Sequence, residues 1–288
     1  MAQATIKSVQ CLSPVGMHKM AYKEWGDPSN PRVLVCVHGV TRVSDDFDTL
    51  GEALSDTYRV ICPDIVGRGR SDWLKDPQFY VVPQYLNDII VLLARLNVER
   101  VDWLGTSMGG LIGMALASLP NHPVRRLILN DIGPGLNPVD LFRIADYIGK
   151  EMRWKTFDEA AAYIREICAP FGPHSEEQWH KITSSVLRQE KDGQWIRHYD
   201  LAMSDPFKGA TIENLQQNAD MLWAVYDQIT VPTLLIRGTE SELLLSDVVE
   251  EMTKRGPKVN VVAIEGIGHA PTFMHDDQIA IVREFLHA

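Results

Sequence analysis

The sequence is poor in cysteine, and it has neither a long apolar run nor a cluster of basic residues. Its four cysteines form no CxxC pair, so neither a disulfide framework nor a thiolate metal site is predicted. No apolar stretch reaches the ~18 residues of a membrane span, and the first residues lack the apolar core of a signal peptide. We therefore expect a cytoplasmic protein with no membrane partner.

Acidic side chains outnumber basic ones by 38 to 28, which gives the 288-residue chain a formal charge of -10. A surface of this sign repels phosphate backbones, so nucleic acid is not expected as a partner. The sequence contains no phosphate loop, no dinucleotide-binding motif and no HExxH motif. We therefore expect no cofactor and no metal ion.

What the sequence does contain is an alternation of strand and helix patterns. Residues 33–37 (VLVCV) and 58–62 (YRVIC) are typical of strands buried on both faces of a parallel sheet. Residues 83–96 carry apolar side chains at three- and four-residue steps, which predicts a helix. Between residues 135 and 209 helices and turns are predicted, but no buried strand. The pattern indicates an α/β protein with an open, largely parallel sheet, helices on both faces and a helical insertion.

The clearest chemical motif is GTSMGG at residues 105–110, between a predicted strand (101–104) and a predicted helix (108–119). A serine in this context occupies a sharp strand-to-helix turn, the nucleophile elbow. The flanking glycines permit that turn because they lack a Cβ atom. The motif predicts Ser107 as a nucleophile. The alternative is a serine whose hydroxyl caps the helix.

A serine nucleophile needs a base, and the base needs an acid that orients it. His269 is the candidate base, because it follows a late predicted strand by five residues. Two strand ends supply candidate acids. Asp131 follows one strand directly, whereas Glu240 and Glu242 follow the next one along the chain. A structural alternative for Asp131 is that it caps the turn that comes after it.

An oxyanion formed at the serine needs two N–H donors. The Met108 amide, directly after Ser107, is one, and the loop after the strand 33–37 supplies the other at Val40. His38 is predicted to orient this loop. Arg42 is a candidate ligand for a substrate carboxylate, and the alternative is a solvated loop arginine.

A second glycine-containing loop, DIVGRGRS at residues 64–71, is interpreted as structural. Gly67 and Gly69 allow a tight loop to pass near the pocket, and Asp64 is predicted to bond its backbone.

These motifs, VHG at 37–39, DIVGRGRS at 64–71, GTSMGG at 105–110 and GH at 268–269, resemble the α/β-hydrolase superfamily in content and order. The resemblance implies an eight-stranded, mostly parallel sheet with a helical cap inserted after strand six. The cap would be residues 135–212, and the core residues 1–134 and 213–288.

The resemblance also bears on the acid. Most members carry an aspartate three residues after the glycine that ends strand seven, and this sequence has Ser241 there. In a minority the acid follows strand six, 24 residues after the serine, as in small bacterial esterases and 2-(acetamidomethylene)succinate hydrolase. Asp131 lies 24 residues after Ser107. The resemblance therefore favours Asp131, with Glu242 and then Glu240 as alternatives.

The function predicted is that of a serine hydrolase, which cleaves a small ester or a related acyl compound through an acyl-enzyme. The partner expected is a small acyl substrate, and the protein would be a monomer or a homodimer. One alternative is hydrolysis of a C–C or C–N bond in a catabolic carboxylate, such as a ring-cleavage product or an enamide acid. An alternative of another class is a ligand receptor with vestigial turnover.

Overall fold

Eight strands form one mixed sheet in the computed structural model, which describes residues 3–208 and 211–288. The strands of the chain are β1 (Thr5–Ser13), β2 (Gly16–Trp25), β3 (Val33–Val37), β4 (Arg59–Pro63), β5 (Val101–Thr106), β6 (Val124–Asn130), β7 (Leu187–Gln189), β8 (Trp195–Arg197), β9 (Thr233–Gly238) and β10 (Asn260–Ile264). The sheet has the order β1-β2-β4-β3-β5-β6-β9-β10. β2 runs antiparallel to both of its neighbours, β1 and β4, and the other adjacent pairs of the sheet are parallel. The predicted fold class is confirmed.

Helices cover both faces of this sheet. They are α1 (Asp48–Leu54), α2 (Val82–Leu96), α3 (Met108–Ala117), α4 (Pro138–Ile148), α5 (Phe157–Ile167), α6 (Glu176–Ser185), α7 (Ile212–Asp227), α8 (Ser246–Met252) and α9 (Asp276–His287). Within the described ranges, no helix is both long and apolar enough to cross a bilayer.

The side chains of β3 show why the central strands are apolar throughout. Val33, Val35 and Val37 pack into the core that contains α2 and α3. Leu34 and Cys36 point the other way, into the core that contains α1 and α9. All five are fully buried. Because successive side chains of a strand point to opposite faces, a strand between two helix layers has no solvent face.

The segment between β6 and β9 holds α4, α5, α6, α7 and a small hairpin. A separate apolar cluster inside this segment includes Ala160, Ile164, Trp179 and Ile182. The prediction was that this segment contains no buried strand. It does contain an antiparallel hairpin of β7 and β8, but neither strand is buried along its whole length. Each strand is only three residues long, too short for a sequence pattern to reveal. Residues 209 and 210, near the predicted end of the cap, lie outside the described part of the chain.

The topology brings the chemical motifs together. Strands β3, β5, β6, β9 and β10 are parallel neighbours, so their carboxyl ends meet at one edge of the sheet. Loops at this edge are where α/β sheets bind ligands. Residues 38–42, 131 and 239–242 all follow these strands directly, Ser107 follows β5, and His269 follows β10 by five residues.

Candidate active site

Ser107 occupies a strained turn between β5 and α3. Its φ of 52° and ψ of -116° are unusual for a residue with a side chain, and such conformations cost about 1–3 kcal/mol. A Cβ atom on Gly105 would lie 2.2 Å from the Gly109 backbone, and one on Gly109 would lie 2.0 Å from the Val37 carbonyl oxygen. The close packing of β3, β5 and α3 therefore requires both glycines. The Ser107 side chain makes no capping hydrogen bond, so the alternative in which its hydroxyl caps the helix is wrong. Ser107 instead lines a cavity.

His269 and Asp131 are joined by a hydrogen bond of 2.7 Å between Nδ1 and Oδ2. The Asp131 carboxylate is fully buried, and the side chain of His269 is 23% exposed. With the carboxylate as acceptor, Nδ1 is the donor, and in this tautomer of the ring Nε2 carries the lone pair. His269 lines the same cavity as Ser107. The structure therefore brings all three predicted residues to one place.

The Asp131 carboxylate accepts two more hydrogen bonds from the loop after β9. Oδ1 accepts from the Gly238 N–H at 3.1 Å, and Oδ2 accepts from the Ser241 hydroxyl at 2.6 Å. Its partners lie 107 to 138 residues further along the chain, so the carboxylate does not act as a local turn cap. These hydrogen bonds hold both carboxylate oxygens in place beside His269.

Ser241 occupies the position at which the resemblance places the acid of most α/β-hydrolases, and its hydroxyl donates to Asp131, which follows the neighbouring strand β6. The departure at this position is visible in the sequence, whereas the hydrogen bond is not. Glu242 points away from the pair, with a side chain that is 75% exposed and lies 3.9 Å from Arg143. Among the residues that the structure describes, His269 makes a side-chain hydrogen bond to Asp131 and none to Glu240 or Glu242.

The loop after β3 passes beside Ser107. A Cβ atom on Gly39 would lie 3.7 Å from the Ser107 Cβ atom, and Val40 lines the cavity. Among the described residues, the Val40 and Met108 amides have no hydrogen-bond partner. Both predicted donors are thus available to a ligand. For Met108 this is expected, because it is the first residue of α3.

His38 orients this loop, as predicted. Its Nε2 accepts from the Ile65 N–H at 3.0 Å, so Nδ1 carries the proton and donates to the Gly39 carbonyl oxygen at 2.7 Å. Burial lowers the pKa of His38 to about 4. The ring is therefore neutral in the folded protein at neutral pH.

This neutral histidine makes stability depend on pH. Unfolded His38 has a pKa of about 6.5, so below that pH the unfolded chain binds a proton that the folded chain does not. The free energy of unfolding should therefore fall as the pH drops from about 6.5 to about 4, by about 3 kcal/mol in total. Urea unfolding at pH 7, 6 and 5 measures the slope. A His38→Asn variant should have the shallower slope, and identical slopes would contradict the prediction.

Ser107 and His269 open into a cavity of about 810 Å³ between the sheet edge and the inserted segment. Aromatic residues of the inserted segment line this cavity, among them Tyr147, Tyr163 and Phe171. Cys168 also lines it, but burial raises the pKa of this thiol to about 11. The thiol is thus protonated near neutral pH and does not compete with Ser107 as a nucleophile.

Arg42 lines the cavity, but protein groups already engage its guanidinium. It is not solvated, since its exposed fraction is 8%. Its guanidinium makes two hydrogen bonds to the Asp46 carboxylate, at 2.9 and 2.6 Å, and a third to the Ile182 carbonyl oxygen of α6 at 3.2 Å. Because Asp46 balances its charge, Arg42 is poorly suited to hold a substrate carboxylate. It links the loop after β3 to the inserted segment instead.

A group that could hold a metal ion lies away from this cavity. The ligand atoms of Cys11, His18 and Asp88 are within 4.8 Å of one another. However, His18 Nε2 and Asp88 Oδ2 already share a hydrogen bond of 2.8 Å, and burial raises the pKa of Cys11 to about 12. These residues tie the β1–β2 hairpin to α2, and they do not line the cavity.

Comparison with known proteins agrees with this geometry. The family model of the alpha/beta hydrolase fold matches residues 32–276. The chain is 53% identical over 280 residues to the 3-hydroxybutyrate-oligomer hydrolase of Cupriavidus necator, a match that covers 96% of each chain.

Two solved structures give the same result for the fold. An α/β hydrolase from Novosphingobium aromaticivorans is 33% identical, with a TM-score of 0.86 over 100% of this chain and 99% of its own. E-2-(acetamidomethylene)succinate hydrolase is 22% identical, with a TM-score of 0.82 over 99% of this chain and 100% of its own, and shows similarity of fold alone. The resemblance seen in the sequence is confirmed: the chain belongs to the α/β-hydrolase family, and it is an ester hydrolase.

Proposed function

We propose that the chain hydrolyses the ester bonds of short 3-hydroxybutyrate oligomers, with Ser107, His269 and Asp131 as its catalytic triad. The observation that carries the proposal is the hydrogen bond between Asp131 and His269, whose ring lines the same cavity as Ser107. The substrate class rests on the relative from Cupriavidus necator, which is 53% identical over nearly the whole chain.

In the acylation step, Ser107 Oγ attacks the ester carbonyl carbon while His269 Nε2 takes the hydroxyl proton. Asp131 holds the Nδ1 proton, which keeps Nε2 unprotonated beforehand and stabilises the imidazolium afterwards. The negative charge that develops on the carbonyl oxygen is stabilised by the amides of Val40 and Met108. Collapse of the tetrahedral intermediate breaks the ester C–O bond, and His269 returns the proton to the leaving hydroxyl of the departing oligomer.

In the deacylation step, a water molecule takes the place of the departed alcohol. His269 removes its proton as it attacks the acyl carbon, and Ser107 leaves with that proton. The products are a shortened oligomer and a carboxylic acid.

Residues 135–212 are proposed to act as a cap over this site. Three contacts join them to the catalytic loops. Tyr147 Oη donates to Thr41 Oγ1 at 2.9 Å, Arg42 donates to the α6 backbone, and the Gly268 N–H donates to the Pro170 carbonyl oxygen at 2.7 Å. A cap held in this way restricts water around the acyl-enzyme.

The charges around the cavity favour the ester over the alternative substrate, an enamide acid or ring-cleavage product. A compact dicarboxylate needs a cation on the cavity wall that is not already close to a protein acid. Both arginines of the wall lie within 4.0 Å of a carboxylate, Arg42 near Asp46 and Arg143 near Glu242. The charged residues that line the cavity are Arg42, Asp46, Arg143, Glu166, Glu240 and Glu242, which include four acids and two arginines. A 3-hydroxybutyrate oligomer is charged only at its terminal carboxylate, so these acids repel it less than they repel a dicarboxylate.

The test is a substrate comparison on purified enzyme. The 3-hydroxybutyrate trimer and its methyl ester should both be hydrolysed, with a kcat in the usual enzymatic range of ~1 s⁻¹ or more. Proton release at constant pH and chromatography of the products measure this turnover. Turnover of an enamide acid without turnover of any ester would contradict the proposal in favour of C–N hydrolysis. Tight binding of the trimer with kcat far below ~1 s⁻¹ would favour a receptor.

A further inference from the structure

Arg68, in the loop after β4, contacts both residues that are proposed to hold the oxyanion. Its side chain is buried, at 1% exposed. Nε donates to the Val40 carbonyl oxygen at 2.9 Å, and Nη2 lies 3.4 Å from Met108 Sδ. Nη1 donates to the Val66 carbonyl oxygen at 2.7 Å and to Tyr85 Oη at 3.0 Å. One guanidinium thus connects the loop after β3 to the start of α3.

The charge of this guanidinium is not balanced by an acid. No carboxylate of the described residues lies within 4.0 Å of it, unlike Arg42 with Asp46 or Arg59 with Glu24. Its neighbours are neutral oxygens and the ring of Tyr85, whose centroid lies 5.0 Å from the Arg68 Cζ atom. A buried cation without an anionic partner is costly to the fold. The guanidinium can therefore stabilise a negative charge that forms nearby.

The backbone on both sides of Arg68 is fixed. The Gly67 carbonyl oxygen accepts from the Asp200 N–H at 2.8 Å, and the Gly69 N–H donates to the His198 carbonyl oxygen at 3.1 Å. A Cβ atom on Gly69 would lie 2.6 Å from the Asp64 carboxyl group, so the loop packs tightly against that side chain. The guanidinium is consequently held in place before any substrate binds.

We propose that Arg68 is the positioning residue of the oxyanion hole. It anchors the Val40 carbonyl oxygen, and so fixes the Val40–Thr41 peptide that adjoins the peptide carrying the Val40 N–H. This limits rotation at Val40 and keeps its N–H toward the site of the oxyanion, and the guanidinium adds positive potential behind Met108. This inference rests on the proposed function, since it assumes an oxyanion at Ser107. Because the oxyanion exists only in the transition state and intermediate, loss of Arg68 should lower kcat and leave KM nearly unchanged.

The experiment compares Arg68→Met and Arg68→Lys with Arg70→Met, which removes a neighbouring arginine of the same loop that pairs with Asp45. Arg68→Met should lower kcat by ~10²-fold, the size of effect found when an oxyanion donor is lost. The rate of Ser107 phosphonylation by a fluorophosphonate should fall in parallel, because that adduct places an oxygen in the same hole. Binding of butyrate, a product analogue, should change little. Arg68→Lys should recover part of kcat, and Arg70→Met should resemble the wild type.

A rise in KM with unchanged kcat, or an unchanged phosphonylation rate, would overturn the proposal. Thermal melting shows whether each variant is folded. Should Arg68→Met fail to fold, Tyr85→Phe removes one acceptor of the guanidinium with little change in shape. It should lower kcat and the phosphonylation rate together, and a rate equal to that of the wild type would overturn the proposal. If the proposed function is wrong, the wild type itself hydrolyses no ester. This outcome differs from an overturned role of Arg68, in which the wild type is active and the variants are unaffected.

Discussion

Replacement of Ser107 by alanine is expected to lower ester turnover by at least ~10⁴-fold, because removing the nucleophile of a triad has effects of this size or larger. The variant should also fail to react with a fluorophosphonate. Titration of the acid released from the trimer, together with mass spectrometry of the labelled protein, measures both losses. Retained turnover, or a phosphonyl group on the alanine variant, would show that another residue is the nucleophile.

The backbone at residue 107 provides a control for folding. Ser107→Ala keeps the Cβ atom at φ 52°, so its stability should match that of the wild type. Ser107→Gly removes the steric strain of that conformation and should be about 1 kcal/mol more stable than the alanine variant. Two inactive variants with this order of melting temperatures would separate loss of chemistry from loss of structure.

Much of this fold could be predicted from the sequence because the central strands are buried on both faces. The continuous apolar run of β3 has no other simple explanation in a chain of ordinary composition. By contrast, the sequence of β1 does not show the alternation of apolar and polar residues that is typical of an edge strand. Val9 and Cys11 are buried on one side, whereas Ile6 and Leu12 are apolar but 59% and 63% exposed. Apolar side chains on both faces of a half-exposed edge strand obscure the period of two.

The residues of the site also differ in how far the sequence predicts them. Those positioned by adjacent residues were predictable, and those positioned by distant parts of the chain were not. Ser107 was predictable because the strand, the turn glycines and the helix that position it are adjacent in sequence. The acid remained ambiguous because β6 and β9 are neighbours, and Asn130 is in register with Ile236. Residues that follow either strand reach the same region, and only the register and side-chain directions distinguish them. The pairing of Arg42 with Asp46 was missed for a related reason, since it depends on the short 3-10 helix at Ser44–Phe47.

Asp131→Asn is expected to lower kcat by ~10⁴-fold while the fold is kept. An amide at this position can donate to His269 Nδ1, which would move the ring proton to Nε2 and prevent it from accepting the serine proton. The matched control is Glu242→Gln, which also exchanges a carboxylate for an amide at the edge of the cavity. Because the Glu242 side chain is 75% exposed, its variant should retain kcat within a factor of about 2, as surface changes usually have small effects. Steady-state kinetics on the same ester compares the two.

A second substitution tests whether the position of the carboxylate is what matters. Ser241 Oγ lies 2.6 Å from Asp131 Oδ2, so an acid introduced there approaches the same imidazole from the neighbouring strand. Adding Ser241→Asp to Asp131→Asn should therefore recover at least ~10-fold of the lost kcat, since a carboxylate again favours the Nδ1-protonated ring. Should Glu242→Gln be the damaging change and Asp131→Asn the mild one, the acid lies after β9 and the assignment of Asp131 is wrong. A mild effect of both would mean that His269 works without a carboxylate partner.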